Sequence, residues 1–162
     1  MSRIEPGPGQ ESVWDYPRPP RIEPTDELVQ VFFNGRKIAE TRHAKRILET
    51  SHPPTYYIPP GDVNPAVLAR SSHRTFCEFK GSAIYHSLVD GDHHSVDAAW
   101  TYPRPVPAFE SIRDHFAFYP SRVEACFVDG EQVLGQEGDF YGGWITRKIV
   151  GPFKGTSGTW GW

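Results

Sequence analysis

The run from Thr75 to Val89 constrains the fold of this chain more than any other stretch. It alternates apolar and polar residues and is rich in β-branched and aromatic types, which predicts a β-strand with one buried face. Fully extended, this run would cover roughly 50 Å at about 3.4 Å per residue, whereas a compact chain of this length is only about 40 Å across. The strand must therefore bend. Gly81 is the predicted bend, because a residue without a Cβ tolerates a bulge or corner.

The geometry at Gly81 decides which side chains share a face of the sheet. In unbroken register Cys77 and Tyr85 lie on the core face and Lys80 on the other. A one-residue bulge at Gly81 would instead place Lys80 on the face of Ala83 and Tyr85, with its ammonium beside an aromatic ring. We therefore look for a functional site around this run.

Charge and hydropathy exclude several classes of partner. The net charge is −3 and the basic residues are scattered, so the sequence predicts neither a nucleic-acid partner nor an anionic membrane surface as partner. No stretch approaches 18 consecutive apolar residues, which a membrane-spanning helix would need. The N-terminus also lacks the pattern of a secretory signal peptide, in which basic residues are followed by an apolar run and then by small residues. We expect a cytoplasmic protein.

The two cysteines, Cys77 and Cys126, are far apart and form no CxxC pair. This spacing predicts free thiols, with neither a disulfide framework nor a zinc site. Adjacent histidines at 93 and 94, near Asp90 and Asp92, could bind a metal, but a solvated turn explains them better. We therefore predict no metal and no cofactor.

The turn residues predict antiparallel hairpins. Aromatic content of 14%, with 16 prolines and 15 glycines, is typical of many short strands joined by sharp turns. Asn34-Gly35 and Asp129-Gly130 each lie between apolar runs, the pattern of a two-residue hairpin turn. A third hairpin, with a long polar loop, is expected where Val89 leads towards Trp100. Residues 1–11 read as a flexible arm and residues 12–162 as one domain.

Two short helices complete the predicted mainly β, tent-like or barrel-like fold. One begins at Asn64-Pro65, a capping residue followed by proline, and the other lies within residues 106–115. Two sequence echoes also suggest an internal duplication with a pseudo-twofold relation: Trp14-Asp-Tyr-Pro-Arg-Pro with Trp100-Thr-Tyr-Pro-Arg-Pro, and Val31-Phe-Phe-Asn-Gly with Phe127-Val-Asp-Gly. Chance recurrence of proline segments and turns explains the echoes equally well.

Several phrases resemble a known family. They are Leu48-Glu-Thr with Tyr57-Ile-Pro, Cys77-Glu-Phe-Lys-Gly-Ser-Ala-Ile-Tyr, Ala99-Trp-Thr-Tyr-Pro, Ala117-Phe-Tyr-Pro, and Gly143-Trp-Ile with Gly151-Pro-Phe-Lys-Gly. From about Trp14 to Trp162 the chain is similar to the domain of unknown function family 427, also labelled nucleotidyltransferase-like family 9. The resemblance implies a small antiparallel fold of the β-tent kind without an established activity. Zinc-bearing tents use two CxxC pairs, which this chain lacks.

Candidate catalytic residues are few. Cys77 is a nucleophile candidate because Arg74 and Lys80 are near it in sequence, but its alternation with apolar neighbours favours a buried core thiol. Lys80 is a second nucleophile candidate and Glu49 a proton-transfer candidate. Nucleotidyl transfer needs closely spaced carboxylates for a divalent metal, and Asp90-Gly-Asp92 is the one close match, which a turn also explains.

Binding residues are predicted from rings and cations. The triplet Phe-Lys-Gly occurs at residues 79–81 and 153–155, and a lysine beside a glycine can hold an anionic group while the backbone approaches the ligand. A lysine that reaches water beside a turn is the more common explanation of such a triplet. The predicted pocket for a small anionic, sugar-like or nucleotide-like ligand is formed by Tyr57, Arg74, Lys80, Tyr85, Trp100 and Tyr102.

Three functions remain open at this point. The first is a small-ligand binding module, and the second an enzyme that uses the same pocket. The third is protein interaction through the C-terminal tryptophans Trp144, Trp160 and Trp162. The sequence also leaves a homodimer open.

Overall fold

The computed structural model describes residues 3–138, 140–156, 158–159 and 161–162. These contain short strands joined by turns. The strands are β1 Glu11–Ser12, β2 Arg21–Pro24, β3 Val29–Phe33, β4 Arg36–Thr41, β5 Lys45–Leu48, β6 Thr55–Tyr57, β7 Leu68–Cys77, β8 Gly81–Asp90, β9 His93–Thr101, β10 Phe116–Phe118, β11 Ala125–Val128, β12 Glu131–Gln132, β13 Leu134–Gly135, β14 Trp144–Ile145 and β15 Ile149–Val150. The prediction of a mainly β chain is confirmed.

Antiparallel pairing dominates the topology. One four-stranded sheet has the order β12-β11-β3-β4 and a second has the order β10-β9-β8-β7. A three-stranded sheet, β2-β5-β6, meets the second sheet through a bridge between Ile58 and Phe116. Of the two remaining pairs, β13–β14 is antiparallel and β1–β15 is parallel. Because both large sheets have edge strands, the described residues form no closed barrel, which corrects the barrel-like part of the prediction.

The two short turns predicted as hairpins are present. Asn34 and Gly35 have φ angles of 52° and 72°, and Asp129 and Gly130 have φ angles of 48° and 81°. Consecutive left-handed residues match the twist of the flanking strands, so each pair closes a tight hairpin. The two hairpins pair through β3 and β11 in one sheet. The wider internal duplication is not confirmed, since Trp14 lies in a 3-10 turn and Trp100 in β9.

The central run is a hairpin and not one bent strand. β7 ends at Cys77, residues 78–80 form a turn, and Gly81, with a φ of 112°, begins β8 opposite Cys77. An added Cβ at Gly81 would lie 3.2 Å from the backbone oxygen of Arg104, so glycine is required for both angle and space. Neither the unbroken strand nor the bulge at Gly81 is therefore correct, and Lys80 lies in the turn.

The hairpin after Val89 also differs from the prediction, because its loop is short. β8 and β9 are joined by Gly91 and Asp92 alone. The two predicted helices are 3-10 segments, Pro65–Val67 and Pro107–Ile112, and the first is capped by Asn64 as expected. Each begins with proline, but β7 starts at Leu68 before an α-helical turn can close. No helix in the described part of the chain is long and apolar enough to span a membrane.

Two main clusters of buried side chains fill the domain. The apolar core is built mainly from both four-stranded sheets, with Tyr56 added from β6 and Trp144 from β14; its other members include Val29, Val31, Ile38, Leu88, Phe118 and Cys126. The aromatic core includes Tyr57, Tyr85, Trp100, Tyr102, Phe109 and Tyr119. Tyr56 and Tyr57 are adjacent in β6 and enter different cores, as the alternation of a strand predicts.

Candidate functional site

A cleft of about 360 Å³ opens onto the aromatic core. It lies between the β7–β8 turn, the segment that contains residues 49–57, and the residues at 136 and 140–142. Its lining includes Glu49, His52, Tyr57, Thr75, Phe76, Cys77, Lys80, Tyr85, Trp100, Tyr102, Tyr119, Gln136, Phe140, Gly142 and Lys154. Its volume is within the range of small-molecule sites.

Hydroxyl groups and rings share the floor of the cleft. The indole N–H of Trp100 donates to the hydroxyl of Tyr57 over 3.2 Å, and the hydroxyls of Thr75 and Tyr85 are 3.2 Å apart. A further 3.5 Å separates the hydroxyls of Tyr85 and Tyr119. Burial raises the pKa of Tyr57 and of Tyr119, so both stay neutral and keep their protons for hydrogen bonding.

A glycine pair lets the third segment approach the floor. A Cβ on Gly142 would overlap the indole ring of Trp100, and one on Gly143 would lie 2.6 Å from Oε1 of Gln136. Only glycine permits this close packing of the backbone. The pair thus sets the position of Gln136 relative to Trp100.

A polar group forms one wall of the cleft. Nδ1 of His52 is 3.1 Å from Nε2 of Gln136, and its Nε2 is 3.9 Å from a carboxylate oxygen of Glu49. Arg18 also approaches Glu49, with 3.6 Å between the guanidinium Nε and the same oxygen. Burial is the main cause that lowers the pKa of His52; the charge of Glu49 opposes this shift, and the charges of Lys154 and Arg18 lower the pKa further. The imidazole is therefore neutral at neutral pH.

Most of the sequence-predicted residues meet at this cleft. Tyr57, Tyr85, Trp100 and Tyr102 lie on the floor, and the catalytic candidates Glu49, Cys77 and Lys80 line the walls. Cys77 is half-buried and so differs from the core thiol Cys126. Arg74 is the exception, because it is exposed on β7 opposite Ile84 and does not line the cleft.

The two Phe-Lys-Gly triplets converge on the same cleft. Lys80 comes from the β7–β8 turn and Lys154 from the C-terminal segment, and both are half-buried lining residues. Lys154 Nζ is 5.8 Å from the ring centre of Tyr141. Within the described part of the chain, neither ammonium forms an ion pair.

Sequence reasoning missed His52, Gln136, Phe76 and Phe140. The spacing Glu49-x-x-His52 was a usable signal, since it places an acid and an imidazole one turn apart. Gln136 is 84 residues from His52, so no local pattern could have joined them. Phe76 and Phe140 line the cleft with 73% and 65% of their surfaces exposed, and pattern analysis does not distinguish such rings from core rings.

Other candidates lie elsewhere in the molecule. Asp90 pairs with Arg36 at 3.1 Å and does not line the cleft, and the histidines at 93 and 94 are exposed. Across the residues that the structure describes, no group of three or more histidine, cysteine, aspartate or glutamate side chains could hold a metal ion.

The C-terminal tryptophans differ in exposure. Trp144 is fully buried, and its indole N–H donates to the carbonyl of Phe118. Trp162 is half-buried beside Trp14, with 5.3 Å between the ring centres. Trp160 lies outside the described residues. The interaction surface predicted for this segment therefore lacks Trp144.

Comparisons with known proteins agree with the resemblance in the sequence. No curated protein matches the chain. The profile of the family described as Domain of unknown function (DUF427) matches residues 21–129, about two thirds of the chain. This span includes β2 to β11 and, with them, the floor of the cleft and the turn that carries Lys80. The chain belongs to the DUF427 family.

Proposed function

We propose that the cleft binds a small ligand that combines a flat or sugar-like ring with an anionic group. The observation that carries this proposal is the meeting of Lys80 and Lys154 at a single aromatic cleft. The two lysines come from separate copies of one tripeptide, and within the described residues neither forms an ion pair, although the carboxylates of Glu49 and Glu78 also line the cleft. Two ammonium groups at one concavity favour an anionic group such as a phosphate or carboxylate.

The floor supports the ring part of the ligand. Aromatic side chains offer apolar faces to a base or to the C–H face of a sugar, and the hydroxyls of Tyr57 and Tyr85 can each donate and accept hydrogen bonds. The exposed rings of Phe76 and Phe140 lie at the same cleft, where a ligand would cover apolar surface that is otherwise in water.

The first test is native mass spectrometry of freshly purified protein, followed by titration with adenosine monophosphate and NMR mapping of the shifted residues. We expect a retained small molecule, or nucleotide-induced shifts that map to the cleft. Lys80→Met and Lys154→Met should each weaken nucleotide binding about tenfold, the value of one charge-assisted hydrogen bond. Lys37→Met is the matched control, because Lys37 is exposed on β4 beside Glu40.

The proposal fails if no small molecule is retained and millimolar nucleotide shifts no cleft residue. It also fails if Lys37→Met weakens binding as much as the two cleft substitutions.

A reaction in the same cleft is the second candidate function. It is supported by the half-buried thiol of Cys77, which lines the cleft together with the Glu49–His52 pair. In the unliganded protein His52 and Glu49 are 3.9 Å apart, which is longer than a hydrogen bond, so a proton cannot pass directly between them. This distance favours a binding role for the pair over a catalytic one. If the thiol acts only in a reaction, Cys77→Ser should bind nucleotide as the wild-type protein does. If the wild-type protein also converts a bound ligand and Cys77→Ser does not, the protein is an enzyme.

A further inference from the structure

The orientation of the Gln136 side chain is fixed by two backbone groups. The backbone N–H of Gly143 can only donate, so the side-chain atom 3.1 Å away must be the amide oxygen. The carbonyl of Lys154 can only accept, so the atom 2.7 Å from it must be the amide nitrogen. Gln136 is buried and cannot exchange these contacts for water.

This orientation determines where the proton of His52 lies. One hydrogen of the Gln136 amide nitrogen is donated to Lys154, and the other points to Nδ1 of His52 at 3.1 Å. Nδ1 must therefore accept. A neutral imidazole carries one proton, so in His52 the proton is on Nε2, the nitrogen that faces Glu49.

Glu49 and His52 consequently present an acceptor and a donor side by side on the cleft wall. Their nearest atoms are 3.9 Å apart, which is too long for a direct hydrogen bond. Among the described residues no acceptor lies within hydrogen-bond distance of Nε2 of His52. Both groups are partly exposed to the cleft, so a ligand can reach them.

The chemistry of this pair selects among ligand groups. A cation would bind the carboxylate of Glu49 but would face the N–H of His52 without an acceptor. An anion would accept from His52 but would be repelled by Glu49. A hydroxyl both donates and accepts, and hydrogen bonds of about 2.8 Å from each atom reach one hydroxyl oxygen or two neighbouring ones.

We propose that Glu49 and His52 together recognise adjacent hydroxyl groups on the sugar of the ligand, and that Gln136 is the positioning residue that makes His52 the donor. This inference rests on the proposed function of the cleft. It names the ligand class as a sugar phosphate or nucleotide whose sugar carries two free neighbouring hydroxyls.

The test compares two probes that differ only in those hydroxyls, adenosine monophosphate and its 2′,3′-dideoxy analogue. We expect the wild-type protein to bind the hydroxylated nucleotide at least about tenfold more tightly, since a hydrogen bond to a charged group is lost in the analogue. In the double variant Glu49→Ala/His52→Ala this preference should disappear while the affinity for the analogue is unchanged, and in His52→Ala alone the preference should fall. His43→Ala is the control, because His43 is exposed and lies outside the cleft.

The outcomes separate the two proposals. Equal binding of both probes by the wild-type protein, or a preference that is undiminished in His52→Ala, overturns the hydroxyl inference and leaves the ligand cleft standing. Failure of both probes to bind overturns the inference, and if the purified protein also retains no small molecule, it overturns the proposed function as well.

The role of Gln136 has its own readout. Long-range proton–nitrogen NMR spectra of the unliganded protein should show the proton of His52 on Nε2. In Gln136→Leu, which cannot donate to Nδ1, the two neutral tautomers should both be populated, and the preference for the hydroxylated nucleotide should fall. A proton on Nδ1 in the wild-type protein contradicts the assignment whether or not the Gln136 variant folds.

Discussion

The two main cores of this domain are made differently. The apolar core contains Trp144, whose indole N–H donates to a backbone carbonyl and whose ring stacks on Tyr56 with 5.0 Å between the ring centres. The aromatic core contains Trp100, whose indole N–H donates to a side chain instead, the hydroxyl of Tyr57. One core is closed and the other forms the floor of a cleft.

The difference shows what each core contributes. A closed core packed from aliphatic side chains and a few rings gives stability, because every apolar surface is removed from water. In the aromatic core, the polar atoms of neighbouring side chains are 3.2 to 3.5 Å apart. These groups can replace one another as hydrogen-bond partners by a group of the ligand. The second core thus combines packing with recognition.

The largest difference is expected in the alkylation rates of the two cysteines, one at the cleft beside the aromatic core and one inside the apolar core. Cys77 lines the cleft, whereas Cys126 is 1% exposed in the apolar core, where burial raises its pKa. Native protein treated with iodoacetamide should be alkylated at Cys77 at least about a thousandfold faster, since Cys126 reacts only after the core opens. Mass spectrometry of tryptic peptides measures both rates, and unfolded protein is the control. Equal rates in the native protein would contradict the distinction between the cores.

Replacement of the tryptophans should have the next largest effect. Trp144→Ala should lower the free energy of unfolding by about 3–5 kcal/mol, because it leaves a closed cavity. Trp100→Ala should cost less, since its cavity opens to the cleft and admits water. Urea denaturation followed by circular dichroism measures both, with Leu134→Ala as an exposed control that should change little. If Trp100→Ala proves as costly as Trp144→Ala, the aromatic core is as closed as the other.

The smallest effect is expected in the pH dependence of stability. The pKa of His52 is lowered in the folded protein, mainly by burial, from an ordinary value of 6.5. The unfolded chain therefore binds a proton more readily, so the contribution of His52 is complete above pH 6.5 and is lost as the pH falls through the folded pKa. His52→Gln should flatten this acid loss relative to the wild-type protein, as measured by urea midpoints across the range. An unchanged pH profile in the variant would show that His52 titrates normally.

Some elements could be predicted from sequence because their causes are local. Asn34-Gly35 and Asp129-Gly130 tolerate left-handed backbone whatever surrounds them, so the hairpins at β3 and β11 were predictable. Gly81 was correctly identified as the point where the run from Thr75 changes course. Alternation on both sides of a glycine is the same for a bulge and for a chain reversal, so the sequence could not tell the two apart.

The site was predictable only in part, for a related reason. Rings and lysines are recognisable by type, and those of residues 57, 80, 85, 100 and 102 do meet at one cleft. Arg74 looks equivalent in the sequence, but its position on β7 turns it away from that cleft. Which nitrogen of His52 carries the proton depends on Gln136. These two residues are so far apart along the chain that no local sequence pattern indicates their contact.

By itself, the sequence determined the strand type, the tight hairpin turns and the family, because these depend on backbone preferences and on alternation between neighbouring residues. The tertiary structure alone decided which lysines share a cleft, which tryptophan is sealed and which nitrogen of His52 carries its proton. These properties arise from contacts between distant segments, where burial and the direction of each hydrogen bond are set only after the sheets have packed.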